Sequence, residues 1–248
     1  MPGWRLLRRI GQTMMAIDFA AVPVITVDGP SGSGKGTLAS LLAEKLGWQL
    51  LDSGALYRIT AVAAAAAGLP FGDATSAAEA AAIAELAQGL AIVFDDGQVS
   101  VDGVDYTTRI RTEEASIGAS QVAALPLVRA AILDLQRGMR RPPGLVADGR
   151  DMGTVVFADA PLKVFLDASA EVRAERRYNQ LKNKGLSVNL RDLLASIQER
   201  DERDRGRAAS PLVPAQDAIL IDSTVMSIDA VLERVYAEAI ARNLVAES

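Results

Sequence analysis

The apolar positions of this chain fall into two rhythms. Five short runs are almost continuously apolar: Val24 to Asp28, Trp48 to Leu51, Gly144 to Asp148, Leu162 to Asp167 and Ala218 to Asp222. Unbroken runs of this length, rather than alternation, are what strands buried on both faces of a parallel sheet require. Between them the spacing becomes helical. Leu38, Leu41, Leu42 and Leu46 mark one face of a helix over Gly36 to Leu46, which Gly47 ends. Further helices are expected over Ile59 to Ala67, stopped by Gly68 and Pro70, over Ala77 to Gln88, and over Ala119 to Met139 with a break at Pro126. Three more follow at Glu171 to Leu181, at the strongly charged stretch Leu190 to Arg205, and from the Ser227 cap to Ile240.

One region departs from this alternation. Leu90 to Phe94 and Gln98 to Val101 flank Asp95-Asp96-Gly97, a strong hairpin signal, and Asp102-Gly103 turns the chain again into Val104-Asp105-Tyr106. The expected architecture is therefore α/β, a parallel five-stranded sheet with helices on both faces and right-handed crossovers, carrying a small inserted lobe of antiparallel strands. The core is placed at residues 22–68 and 118–242, and the lobe at 69–117.

Composition narrows the options. At 248 residues and 50% hydrophobic, the chain suffices for one large domain, or one with an inserted lobe. It has no cysteine, which excludes disulfides and thiolate metal sites, and no histidine, which excludes imidazole as base or ligand. A net charge of −5 argues against a general nucleic-acid binder, and no apolar run approaches a membrane span. Residues 1–21 place Arg5, Arg8 and Arg9 beside Trp4, Leu6 and Leu7. They read as a disordered tail or as an upstream start before Met14 or Met15, with a short targeting segment as the alternative.

The chemistry begins after the first strand. Gly29-Pro30-Ser31-Gly32-Ser33-Gly34-Lys35-Gly36-Thr37 keeps the G-x-x-x-x-G-K spacing of a phosphate-binding loop between a strand and a helix. Its glycines let successive backbone N–H groups turn toward one anion, and the helix N-terminus adds partial positive charge. Lys35 is placed to reach terminal phosphates, and the Thr37 hydroxyl to hold Mg2+, with Asp148 as a weaker candidate for a coordinated water or a loop brace. The alternative, a glycine-rich turn that binds nothing, fits the strand–loop–helix context poorly.

Arginines supply the rest. Arg58 follows the second strand and Arg150 follows the strand ending at Asp148, so both stand at the ligand edge of the sheet. Arg200, Asp204 and Arg207 recur at helical spacing on one face of the charged helix, provided it persists through Gly206. Arg173, Arg176 and Arg177 precede a tip at Asn183-Lys184-Gly185 that reads as mobile. Converging guanidinium groups clamp two phosphates together, whereas a solvated helix face is the plain alternative and the expectation for Arg173, Arg177 and Arg203. The absence of histidine agrees with transfer onto a phosphate, whose second pKa of about 6 leaves it mostly dianionic without a base. No N-K-x-D guanine reader is present.

The segments G-P-S-G-S-G-K-G-T, L-L-D-S-G-A-L-Y-R, A-S-Q-V-A-A, A-D-G-R-D-M-G-T-V-V-F, E-R-D-E-R-D-R-G-R and P-L-V-P-A together resemble the bacterial cytidylate kinases, from about Val22 to Ile240. The resemblance implies a nucleoside-monophosphate kinase (a P-loop kinase core) with a monophosphate-binding lobe and a short lid, here residues 174–190. It implies phosphoryl transfer from ATP to CMP or dCMP with Mg2+. It implies that Gly29, Gly32, Ser33, Gly34, Lys35, Gly36 and Thr37 hold ATP phosphates and that Arg176 closes over the transferring group. Lys35, Arg58, Arg150 and Arg176 would carry catalysis. Ser53, Tyr57, Arg58, Arg150, Arg200 and Asp204 would surround the acceptor's sugar and phosphate, with Ser120, Arg129, Asp151 and Arg207 around the base. A carboxylate at Asp151 can accept from the cytosine amine, while Arg129 and Ser120 can donate to the ring. A cytoplasmic monomer with small nucleotides as its only partners is expected. Another acceptor (UMP, AMP or a small alcohol) and an ATP sensor without turnover are the rival readings.

Overall fold

The computed structural model describes residues 21–72, 74–95, 97–183, 185 and 187–245. Apart from residue 21, the segment expected to be a tail lies outside the described residues, as does Lys184 at the expected tip. In chain order the elements are β1 (Val24–Asp28), α1 (Lys35–Leu46), β2 (Gln49–Asp52), α2 (Ser53–Ala66), α3 (Ala77–Gly89), β3 (Ile92–Asp95), β4 (Gln98–Val101), β5 (Val104–Asp105), α4 (Glu113–Val122), α5 (Pro126–Arg137), β6 (Leu145–Gly149), β7 (Leu162–Asp167), α6 (Ala170–Asn183), α7 (Leu190–Gly206), β8 (Ile219–Asp222) and α8 (Ile228–Ala241).

The five apolar runs become one parallel sheet in the order β2-β6-β1-β7-β8. Strand residues alternate between two cores. Val24, Leu51, Leu145 and Ala147 point to the layer formed by α2, α3, α4 and α5. Ile25, Val27, Val146 and Val164 point to the layer formed by α1 and α8. Burial on both faces explains why β1 and β6 carry no exposed position. The hairpin region forms a separate antiparallel sheet, β3-β4-β5, anchored to α2 by Val99, Val101, Tyr106 and Ile110 against Ala55 and Ile59.

Three local features differ from the sequence reading. Helix α2 begins at Ser53 rather than Ile59, because Asp52 Oδ1 accepts the Ala55 N–H and caps it. Ser53, Tyr57 and Arg58 therefore stand on a helix, not on a loop. Helix α4 begins at Glu113 rather than Ala119, capped by the Thr112 hydroxyl and favoured by two acidic residues in its first turn. After β6, residues Met152–Val156 form a π-helical turn that no periodicity announced. Its first two N–H groups donate to Asp28, Met152 to Oδ1 and Gly153 to Oδ2, each at 2.8 Å. The break at Pro126 is real: Pro126 opens α5. Helix α7 does persist through Gly206.

Candidate active site

The carboxyl ends of β1, β2 and β6 open into a cavity of about 520 Å³. Its floor is the loop between β1 and α1. Gly29 sits at φ +154°, where an added Cβ would lie 2.0 Å from the Leu166 carbonyl oxygen. Gly34, at φ +95°, caps α1 in the left-handed region. Of the loop residues expected to hold phosphates, Gly32, Gly34, Lys35, Gly36 and Thr37 line the cavity. Gly29 and Ser33 do not. Gly29 packs beneath the loop, and the Ser33 hydroxyl is buried without a hydrogen-bond partner. Lys35 Nζ donates to its own loop at the Pro30 carbonyl, 3.0 Å away. Arg176 donates to the Ser33 carbonyl at 3.2 Å and to the Ser223 carbonyl at 2.6 Å, so it spans the loop and the end of β8.

The opposite wall holds the residues expected on the acceptor side, and all ten line the same cavity: Ser53, Tyr57, Arg58, Ser120, Arg129, Arg150, Asp151, Arg200, Asp204 and Arg207. Five elements deliver them, which is why no single sequence window contains them. Asp204 is the hub. It accepts from Arg150 Nε at 2.9 Å, from Ser120 Oγ at 3.3 Å, and from Arg207. Arg129 pairs with Asp151 at the inner end, and its guanidinium lies 5.7 Å from the Tyr57 ring centroid. Arg58 pairs with Asp52 at 2.6 Å.

The field in the cavity follows from these neighbours. Burial alone would raise the Asp204 carboxyl, but Arg150, Arg207 and Arg200 outweigh it and pull it down to about 2. Burial and the adjacent Arg150 push the Arg200 guanidinium down to about 10. Burial pushes the Tyr57 phenol up to about 12, so it stays a neutral donor. Lys35 is lowered by burial, with Arg150 adding to it, and Asp148 is raised by burial. Arg200 differs from its neighbours: among the described residues it makes no ion pair, and its Nε is buried without an acceptor. Asp204 and Glu113 offset only part of the fall in its pKa, which leaves Arg200 with an unfilled donor on the cavity wall.

A divalent ion fits one corner of this site. Asp148 Oδ1 is buried with no hydrogen-bond partner, and its Oδ2 lies 3.2 Å from where a Cβ on Gly36 would stand, next to Thr37. Among the described residues no group of three or more acidic side chains is arranged to hold a metal ion by itself. One carboxylate and one hydroxyl suit a hard ion that keeps its waters and shares phosphate oxygens.

Sequence reasoning passed over several residues now seen at or beside the site. Asp52 holds Arg58, Glu113 pairs with Arg177 at 2.9 Å across the cavity mouth, and Asp28 anchors the turn after Asp151. Arg173, expected on a solvated face, is instead buried and bonded to Asp201 and to the Ser31 carbonyl. Arg203 pairs with Glu199 one turn away on an exposed face, as expected of a solvated helix. Among the described residues no single helix is long and apolar enough to cross a membrane.

A family model described as "Cytidylate kinase" matches residues 25–241. The cytidylate kinase of Stutzerimonas stutzeri (strain A1501) is 58% identical over 229 residues, covering 90% of this chain and 97% of that protein. The cytidylate kinase of Aeromonas hydrophila subsp. hydrophila is 58% identical over 221 residues, covering 88% and 94%. Among solved structures, a gluconokinase from Sinorhizobium meliloti 1021 matches at 17% identity and a TM-score of 0.40, over 90% of this chain and 95% of that one. With a family match across the whole sheet and relatives of this identity over nearly their full length, the chain belongs to the cytidylate kinase family.

Proposed function

We propose that the protein transfers the γ-phosphoryl group of ATP to CMP or dCMP, forming ADP and CDP or dCDP. The observation that carries this reading is Arg200, half-buried with its Nε shut off from water and without an ion pair among the described residues, beside Arg150 and Arg58 and facing the phosphate-binding loop across one cavity. A phosphate on the monophosphate side would supply the missing counter-charge. A donor phosphate on the loop would draw Lys35 from the Pro30 carbonyl, whose hold on it is a neutral acceptor's.

The reaction then needs positioning and charge neutralisation. An oxygen of the acceptor phosphate attacks the γ-phosphorus, and the bond to the ADP oxygen breaks in line. No base is required, because the attacking phosphate is already mostly dianionic above about pH 6. Lys35 and Arg176 stabilise charge on the donor side, and Arg58, Arg150 and Arg200 on the acceptor side. Thr37 and Asp148 would hold Mg2+, directly or through its waters; the ion, when bound, offsets phosphate charge. Asp204 keeps Arg150 and Arg207 in place and stays ionised while doing so.

Base choice is assigned to Asp151, Arg129, Ser120 and Arg207. The Asp151 carboxylate accepts from the exocyclic amine of cytosine, and uracil would present a carbonyl there instead. The lobe at 69–117 and the lid at 174–190 close over the two substrates. The setting is the cytoplasm, in pyrimidine nucleotide metabolism, and the protein acts as a monomer on small nucleotides, without nucleic acid or membrane.

Diphosphate formation from CMP, dCMP, UMP and AMP with Mg-ATP tests the reading. Preference for CMP and dCMP is the expected result. Preference for another monophosphate removes the base assignments, and ATP binding without any turnover overturns the transferase reading.

A further inference from the structure

Gln136 stands in the last turn of α5, does not line the cavity, and is only 1% exposed. An amide buried this deeply is retained only with a hydrogen-bond partner. Its Nε2 donates to the Ser53 hydroxyl oxygen at 2.8 Å. Ser53 is itself buried, at 3% exposure, but it lines the cavity at the first position of α2. Gln136 thus touches the site only through Ser53.

A serine hydroxyl has one proton to give and two lone pairs to receive. Gln136 fills one lone pair. Within the protein, the Ser53 proton has no acceptor among the described residues. Thr60, about two turns further along α2, shows the usual alternative, donating to the carbonyl four residues back at 2.9 Å. Ser53 cannot copy it, because the residue four back, Gln49, lies in β2 rather than in the helix. The proton is therefore left for the cavity, beside Arg58 and facing the loop with Lys35.

We infer that Gln136 is a positioning residue for the acceptor: by occupying the Ser53 oxygen as a donor, it commits the Ser53 proton to an oxygen of the bound monophosphate's phosphate group. A phosphate oxygen only accepts, so a hydroxyl held as a donor discriminates for it, and a freely turning hydroxyl does so less. This inference rests on the function proposed above and adds to it a residue outside the cavity.

The test is steady-state kinetics with Mg-ATP and CMP on Gln136→Met, Gln136→Glu, Ser53→Ala and the Ser53→Ala/Gln136→Met double variant, with a thermal melt of each. Methionine keeps the volume and removes the donor. The expected result is a rise in KM for CMP of about tenfold, the size of one hydrogen bond to a charged group. KM for ATP stays unchanged. Glutamate keeps the shape and, as a carboxylate, accepts the Ser53 proton, so at a pH where it is ionised its KM for CMP rises at least as far as that of Ser53→Ala, the melt reading whether it folds. In the Ser53→Ala background, Gln136→Met adds nothing further. Equal rises in both KM values, additive losses in the double variant, or a lowered Tm with unchanged KM for CMP would overturn the positioning role. The unsubstituted protein separates the two levels: if it turns over no monophosphate, the proposed function falls and this inference with it. If it turns over CMP and the Gln136 variants match it, only the inference falls.

Discussion

Arg173 on α6 and Asp201 on α7 meet as a two-pronged ion pair closed off from water, at 3.1 and 2.5 Å. The same guanidinium donates from Nε to the Ala168 carbonyl at 2.9 Å and from a terminal nitrogen to the Ser31 carbonyl at 3.0 Å. One side chain thus ties the two charged helices to each other and to the phosphate-binding loop. Removing either partner leaves the other as a buried charge without a counter-charge.

Arg173→Met should accordingly cost about 3–5 kcal/mol of stability, and Arg173→Met with Asp201→Leu should recover much of that loss. Urea unfolding of both variants measures it. A single variant within about 0.5 kcal/mol of the unsubstituted protein, the range of an ordinary surface change, would show that the pair is not load-sharing. Because Ser31 loses its donor, KM for ATP should rise in the single variant as well.

That pair also marks where sequence reading ends. The sheet and the phosphate-binding loop were legible because their signals are local: unbroken apolar runs, and a glycine spacing between a strand and a helix. The run around Arg173 looks like any solvated helix face, and nothing in α6 announces that Asp201, 28 positions later, arrives opposite it. Asp28 and Gln136 were passed over for the same reason. Nothing in the local sequence of either sets it apart, and its meaning comes from a partner more than 80 positions away. Arg58, Arg150, Arg200 and Arg207 were legible from strand ends and helical spacing, whereas roles for Ser120 and Arg129 became legible only through the family resemblance, since each lies alone on a separate helix. The start of α2 was misplaced because Gly54 reads as a turn residue, whereas the Asp52 cap overrides it.

Arg200 should trade stability for function. It makes no ion pair among the described residues, and burial of its guanidinium together with Arg150 disfavours its charge by more than Asp204 and Glu113 restore, which works against the ligand-free fold. Arg200→Met should therefore leave the Tm of the free protein unchanged or raise it, while lowering kcat/KM for CMP by about a hundredfold or more. Differential scanning calorimetry of the free protein reads the first, and steady-state kinetics with Mg-ATP and CMP the second. A variant destabilised in the free state would mean that Arg200 has a structural counter-charge after all.

Asp204 should govern acid sensitivity. Against the pull of burial, Arg150, Arg207 and Arg200 bring its carboxyl down to about 2 from the ordinary 3.8, so the folded protein holds this proton less readily than the unfolded chain. The stabilisation is then fully present above about pH 4 and is lost as pH falls toward 2, amounting to about 2 kcal/mol. Asp28 acts in the opposite sense. Burial pushes its carboxyl up to about 7, against the pull of the Gly153 and Met152 N–H groups, so its contribution fades as pH rises from about 4 through 7. Urea unfolding from pH 2 to pH 8 should show a maximum between these limbs. Asp204→Asn should flatten the acid limb, and a limb unchanged in that variant would assign it to other carboxylates.

Asp151 offers the sharpest test of base choice. It is buried, paired with Arg129, and set on the cavity wall by the turn that Asp28 anchors. As a carboxylate it can only accept, so it favours a ligand edge that donates. Asp151→Asn presents an oxygen and an amino group on nearly the same volume, and rotation of the amide lets it meet either cytosine or uracil. The ratio of kcat/KM for CMP to that for UMP should fall by about one to two orders of magnitude, chiefly through a loss with CMP. Part of the loss is indirect, because Arg129 would lose its ionic partner and turn more toward the neutral Ala123 carbonyl that it already reaches at 3.2 Å. Arg129→Met separates the two effects: it leaves the carboxylate in place, so CMP should still exceed UMP even though both bind more weakly. If Asp151→Asn lowers turnover of CMP and UMP equally, the carboxylate braces Arg129 and does not read the base.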